Sequence, residues 1–123
     1  MFCLSTFYFH SAINKMTVAG IQWCDGRGLQ LWLTVGPKDN ALVKWGLSDL
    51  RLAALAQTTV LILELSMILA IFLPKTRIPL GLAAIGFHCV AELTLGVQFR
   101  STSVIVALFF IPWDKMLQRK QEI

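Results

Sequence analysis

Four ionisable side chains, Lys15, Glu64, His88 and Glu92, stand in or beside strongly apolar runs of this sequence. Glu64 is in the middle of residues 52–73, LAALAQTTVLILELSMILAIFL. A carboxylate at the centre of a bilayer costs ~2.5–3.5 kcal/mol on insertion scales, so it turns toward protein and takes a partner or a proton. His88 and Glu92 are four apart and share a helix face. With Ala84 and Gly96 they form a stripe of small and polar residues that lets another helix approach closely. Two kinds of role fit. Glu64, His88, Glu92 and Arg100 could pair simply to hold a helical bundle together, or they could form a site such as a proton relay or an enzyme pocket. Periodicity alone favours neither. One histidine with two carboxylates offers metal-ligand types without a diagnostic spacing, and no metal is expected.

The elements that must position these groups are apolar helices. On 52–73, Ala53, Gln57, Leu61, Glu64 and Ile68 share one face, opposite Leu55, Ile62, Ser66, Leu69 and Leu73. This run and 78–97 are each long enough to cross the roughly 30 Å hydrocarbon layer. Pro74 stops the first, Pro79 suits the first turn of the second, and the short PKTR link makes them an antiparallel hairpin. Residues 2–18 and 101–113 are the weaker spans. On the first, Tyr8, Ser11 and Lys15 share a face, and His10 and Asn14 share another. Lys15 alone reads as a snorkelling lysine near a helix end. Residues 19–51 read as an interfacial loop, with a short amphipathic helix over 28–35 and Asp49 opening the next span. Trp23 is an interfacial anchor before the Asp25-Gly26 turn. Arg77 and Trp113 mark the interface at other ends, and Lys115, Arg119 and Lys120 fall in the tail.

Composition agrees. Of 123 residues, 56% are hydrophobic and 15% charged, and the mean hydropathy is +0.67. A chain this short cannot enclose so much apolar surface in its own core, whereas a bilayer can serve as the apolar solvent. The expected fold is therefore all-α, one domain over 1–123, a multi-pass transmembrane bundle of about four helices in contact with the lipid bilayer. The net charge of +4 has no clustered basic face, so nucleic acid is not an expected partner. A secretory signal is disfavoured because no Lys or Arg precedes the first apolar run, which Tyr8, His10, Asn14 and Lys15 interrupt. The loop and turn on one side carry five basic residues and those on the other side also carry five, so the positive-inside rule leaves orientation open. Three cysteines make no redox pair. Cys3 and Cys89 are expected as small packing residues, and Cys24 falls in the loop.

The order of motifs resembles a known family. FYFHSAINKM…IQWCDGRGLQLWL looks like the YF-x-AG-x-x-KL…W-x-x-G segment of the vitamin K-dependent gamma-carboxylase-like membrane domain, the HTTM domain. LELSMILAIFLPKTR resembles that family's acidic helix ending in arginine. GFHCVAELTLGVQFRSTSVIVALFFIPW resembles its segment that opens with Phe-His and closes on Phe-x-Pro. The resemblance implies a lysine base, matching Lys15, that deprotonates a reduced quinone. It also implies that the chain corresponds to the C-terminal half of such a domain and needs a membrane protein partner, an oligomer or further N-terminal helices. Ser11-Ala12 stands where the family has Ala-Gly, and Asn14 where it has its first lysine. A looser likeness to DoxX-type four-helix membrane proteins implies a redox-accessory subunit.

Overall fold

Capping residues and apolar periodicity divide residues 1–113, the part of the chain that a computed structural model describes, into helices joined by short turns. Helix α1 covers Phe2–Ala19 and runs into a 3-10 helix at Gly20–Asp25. Gly26 then adopts φ 86°, a left-handed turn that glycine enters without steric cost. The chain approaches the later helix Leu50–Ser66 so closely there that a Cβ on Gly26 would lie 2.6 Å from Ala54 N and from Leu50 O.

The expected loop over 19–51 is largely helical, which corrects the sequence reading. The amphipathic segment expected at 28–35 forms as α2, Arg27–Val35. A further helix, α3, covers Ala41–Ser48. Its start is fixed by Asn40, whose Oδ1 accepts from the amides of Leu42 (3.0 Å) and Val43 (3.1 Å). These satisfy two of the amides that a helix start leaves unpaired. The same side chain donates from Nδ2 to Leu93 O at 2.7 Å and ties α3 to the later helix Arg77–Leu95. In sequence the signal is obscured because α3 is only 8 residues long and follows a Gly-Pro turn.

Asp49 opens α4, Leu50–Ser66, by accepting from Arg51 N at 2.8 Å, as its position suggested. The helix breaks at Met67-Ile68 and resumes as α5, Leu69–Phe72. At the break the Ser66 hydroxyl donates to Leu63 O (2.8 Å), and the next amides make i→i−3 bonds, Ala70 to Met67 and Ile71 to Ile68. Pro74–Thr76 turns the chain into α6, Arg77–Leu95, which ends on Gly96 at φ 72°. Helix α7 covers Arg100–Phe110. Lys115, Arg119 and Lys120 lie outside the described residues.

Helix α6 packs on α7, α1 on α4, and the α2–α3 pair on α4 and α6. The face assigned to α4 is the one that folds inward: Ala53, Gln57, Leu61 and Glu64 are buried. One core cluster joins Tyr8 of α1, Met67 and Ala70 at the α4–α5 break, Ala84 of α6, and Val106 and Phe110 of α7. Gly81 lets α6 and α7 touch; a Cβ there would meet Phe110 Cβ at 2.6 Å.

Two helical stretches, Leu50–Phe72 and Pro74–Leu95, are long and apolar enough to cross a bilayer, with mean hydropathies of 2.0 and 1.6 over an 18-residue window of each. They correspond to the expected runs 52–73 and 78–97. The other two expected spans fall short of that standard. Helix α1 has 18 residues but carries too many Ser, Thr, His, Asn and Lys, and α7 has only 11 residues. The cysteines also differ from expectation: Cys3 and Cys89 are exposed, not packed. Cys89 is one residue beyond buried His88, about 100° further round α6, and so faces outward.

Candidate functional site

The face of α1 that carries Tyr8, Ser11 and Lys15 lies against α4 and α6. The Lys15 ammonium donates to both oxygens of Glu64, at 2.5 Å and 2.6 Å. The Ser11 hydroxyl donates to Oε1 of the same carboxylate at 3.4 Å. Glu64 is 5% exposed. A buried carboxylate is tolerated when a counter-charge and hydrogen bonds replace its lost water, and α1 supplies both. The ammonium also stands 5.3 Å from the centre of the Trp23 ring, within cation–π range.

Six residues before Ser11, Ser5 is fully buried, and between them Tyr8 reaches α6. The Tyr8 hydroxyl and His88 Nε2 share a 2.5 Å hydrogen bond. The imidazole sits between Phe87 and Phe99, with ring centres 5.2 Å and 4.7 Å away. Nδ1 of His88 and Oγ of Ser5 have no hydrogen-bond partner among the described residues.

Glu92 pairs elsewhere. Its Oε1 accepts from Arg100 Nε (2.9 Å) and lies 2.8 Å from Nη2 in an ion pair that bridges α6 and the start of α7. The Arg100 side chain is 79% exposed, so this pair belongs to the rim. The four groups expected to cluster, Glu64, His88, Glu92 and Arg100, are thus divided among three pairs: Lys15–Glu64, Tyr8–His88 and Glu92–Arg100. Tyr8 was legible as a neighbour of Lys15 on its helix, but nothing in the sequence assigned it to His88. Among the described residues no three His, Cys, Asp or Glu side chains come together in a metal-binding group.

Beside the Lys15–Glu64 pair lies a cavity of about 540 Å³, between the α2–α3 pair and the grooves of α4 and α6. Its walls are mostly aliphatic and aromatic, with Trp23, Trp32, Trp45 and Phe87 among them. Its polar wall residues include Lys15 and Gln57. Gln57 is 7% exposed and belongs to the inward face of α4, two turns before Glu64. Gly28 of α2 packs against its amide; a Cβ there would lie 3.2 Å from Nε2. Neither Gln57 Oε1 nor Trp23 Nε1 has a hydrogen-bond partner among the described residues.

The residues expected at the interface have distinct placements. Trp23 lines the cavity, and Asp25 Oδ1 accepts from Arg27 N at 2.8 Å. Arg77 Nε donates to Ala70 O at 3.1 Å, one of the carbonyls that the end of α5 leaves free. Trp113 Nε1 donates to Ala107 O at 3.0 Å, folding the indole back on α7. The signal for Gln57 was its register, seven residues before Glu64 on one helix face. The contribution of Trp32 and Trp45 depends on the α2–α3 pair, whose second helix the sequence reading did not contain. Comparison of the chain with protein-family models, with curated proteins and with solved structures finds no match.

Proposed function

We propose that the chain is a multi-pass integral membrane protein of the HTTM-like type, of undefined activity, which works with a membrane partner or further membrane helices. Four membrane helices, α1, α4–α5, α6 and α7, cross or enter the bilayer in this reading, and the α2–α3 pair lies at its surface. The observation that carries it is the low burial of the two most apolar stretches. In an apolar window of 18 residues within each, only 28% of the Leu50–Phe72 helix and 22% of the Pro74–Leu95 helix is buried within the chain. The core helices of a soluble protein bury their apolar surface, but here Leu55, Ile62, Leu69, Phe72, Leu82 and Leu93 are all exposed. So large an apolar surface is stable in contact with lipid.

The need for a further helix rests on α1. Its outer face exposes His10 and Asn14. Polar side chains at membrane depth are satisfied by another helix or by a water-filled space. His10→Cys or Asn14→Cys, in a cysteine-free background and labelled with a benzophenone maleimide, should give a discrete cross-linked species on illumination in native membranes. A cysteine at Leu82, on the apolar outer face of α6, should not. A monomer alone at both α1 positions would contradict the proposed partner.

A second reading follows from the place of Lys15 in the cavity wall: a quinone- or carboxylation-type enzyme with Lys15 as base. The cavity has room for a ring, and its aromatic walls suit one. Against it, a lysine base must be neutral, and this ammonium gives two hydrogen bonds to Glu64. Lys15→Ala should abolish quinol-dependent turnover if this reading holds; unchanged turnover would rule Lys15 out as the base.

A further inference from the structure

We propose that the cavity between α2, α3, α4 and α6 binds a neutral amphiphile, an apolar chain or ring body carrying a hydroxyl, and that Gln57 and Trp23 recognise the hydroxyl. Three features of the cavity argue for this class. Its volume of about 540 Å³ falls within the roughly 300–1,000 Å³ of small-molecule sites, and its walls are largely apolar. Two polar side chains of the wall carry a hydrogen-bonding atom with no partner among the described residues, the Trp23 indole N–H and the Gln57 amide oxygen; both atoms are closed to water as the side chains stand, so a ligand meets them when these side chains turn into the cavity. Buried polar groups without partners are costly, so such a pair points to something that completes them. An indole N–H only donates, and an amide oxygen only accepts. A hydroxyl accepts from the first and donates to the second. With the amide turned end for end both wall atoms donate, and the hydroxyl oxygen, with two lone pairs, accepts from both.

Charge decides against an anionic headgroup. Lys15, the cation in the wall, is bound to both oxygens of Glu64. The pair presents no net charge, and a carboxylate or phosphate would have to compete with Glu64 for the ammonium. An alkane is disfavoured in turn, because it would leave the indole and amide atoms unpaired. The inference goes beyond the proposed membrane role and does not depend on Lys15 acting as a base.

The test is saturable quenching of tryptophan fluorescence in the Trp113→Phe protein, so that Trp23, Trp32 and Trp45 report. The probes are 11-bromoundecan-1-ol, 11-bromoundecanoate and 1-bromoundecane, with the protein in phosphatidylcholine nanodiscs. The alcohol should saturate at the lowest concentration of the three. Gln57→Leu should weaken alcohol binding about tenfold and leave bromoundecane unchanged. Trp23→Phe keeps an aromatic wall and removes the donor; it should weaken the alcohol several-fold, and it carries the test if Gln57→Leu does not fold. Equal half-saturation by all three probes would overturn the proposal, since any acyl chain would then fill the cavity. Tighter binding of the carboxylate would overturn it in favour of an anion held by Lys15. A protein that failed to enter nanodiscs would contradict the membrane reading, and the same titration in buffer would still decide the cavity's preference.

Discussion

Lys15 on α1 holds both carboxylate oxygens of Glu64 on α4, at 2.5 Å and 2.6 Å, across the interface of the two helices. The Glu64 side chain is 6% exposed and that of Lys15 22%. Removing one member of a buried ion pair strands the other charge, which costs about 3–5 kcal/mol when fully buried, so about 3 kcal/mol is expected for this pair with one partner partly exposed. Lys15→Met and Glu64→Leu should each lower the unfolding midpoint in detergent. The double variant should recover most of the loss, because no charge then remains unpaired. Additive losses in the double variant would show that the pair is not coupled.

The hydrogen bond between Tyr8 and His88 makes a separate prediction. Tyr8→Phe keeps the ring in the core cluster but leaves His88 Nε2 without a partner inside the protein. An unsatisfied buried group costs about 1–3 kcal/mol. Chemical unfolding of Tyr8→Phe should show that loss, and His88→Phe combined with Tyr8→Phe should restore part of it. A Tyr8→Phe protein as stable as the parent would mean that the hydroxyl is not held by His88.

Two glycines of α6 should respond in opposite directions. An added methyl at Gly81 would meet Phe110 Cβ at 2.6 Å, an atom that every residue but glycine carries. Gly81→Ala should therefore push α7 away and cost about 1–3 kcal/mol. At Gly86 an added methyl meets nothing within 4 Å. Gly86→Ala should gain up to about 1 kcal/mol from helix propensity. Thermal unfolding of the two single variants checks both signs, and a stabilising Gly81→Ala would contradict the α6–α7 packing.

The inward face of α4 was readable because one buried stripe recurs every three to four residues, and Ala53, Gln57, Leu61 and Glu64 all follow it. The pairing of those residues was not readable. Glu64 could have turned to His88 or Arg100 by type alone; the choice of Lys15 depends on which helices become neighbours, and that is a property of the whole bundle. The cavity was hidden for a related reason. It exists only because α3 forms beside α2, and α3 is too short for periodicity to distinguish from a loop. Its Asn40 cap was the available signal. Cys89 was misassigned because an apolar stretch says that a residue avoids water but not whether it meets protein or lipid.

Cys89 is also the most direct probe of the membrane reading, since it is exposed on the outer face of α6 and lies inside Pro74–Leu95, more than one helical turn before its end. The measurement is its rate of reaction with a membrane-impermeant maleimide in opened membrane vesicles, with Cys3 and Cys24 replaced by serine and Lys38→Cys as the water-exposed reference. If lipid covers α6, Cys89 stays unlabelled until SDS dissolves the bilayer, while Lys38→Cys reacts at once. Labelling of Cys89 at the rate of Lys38→Cys, without detergent, would contradict the account.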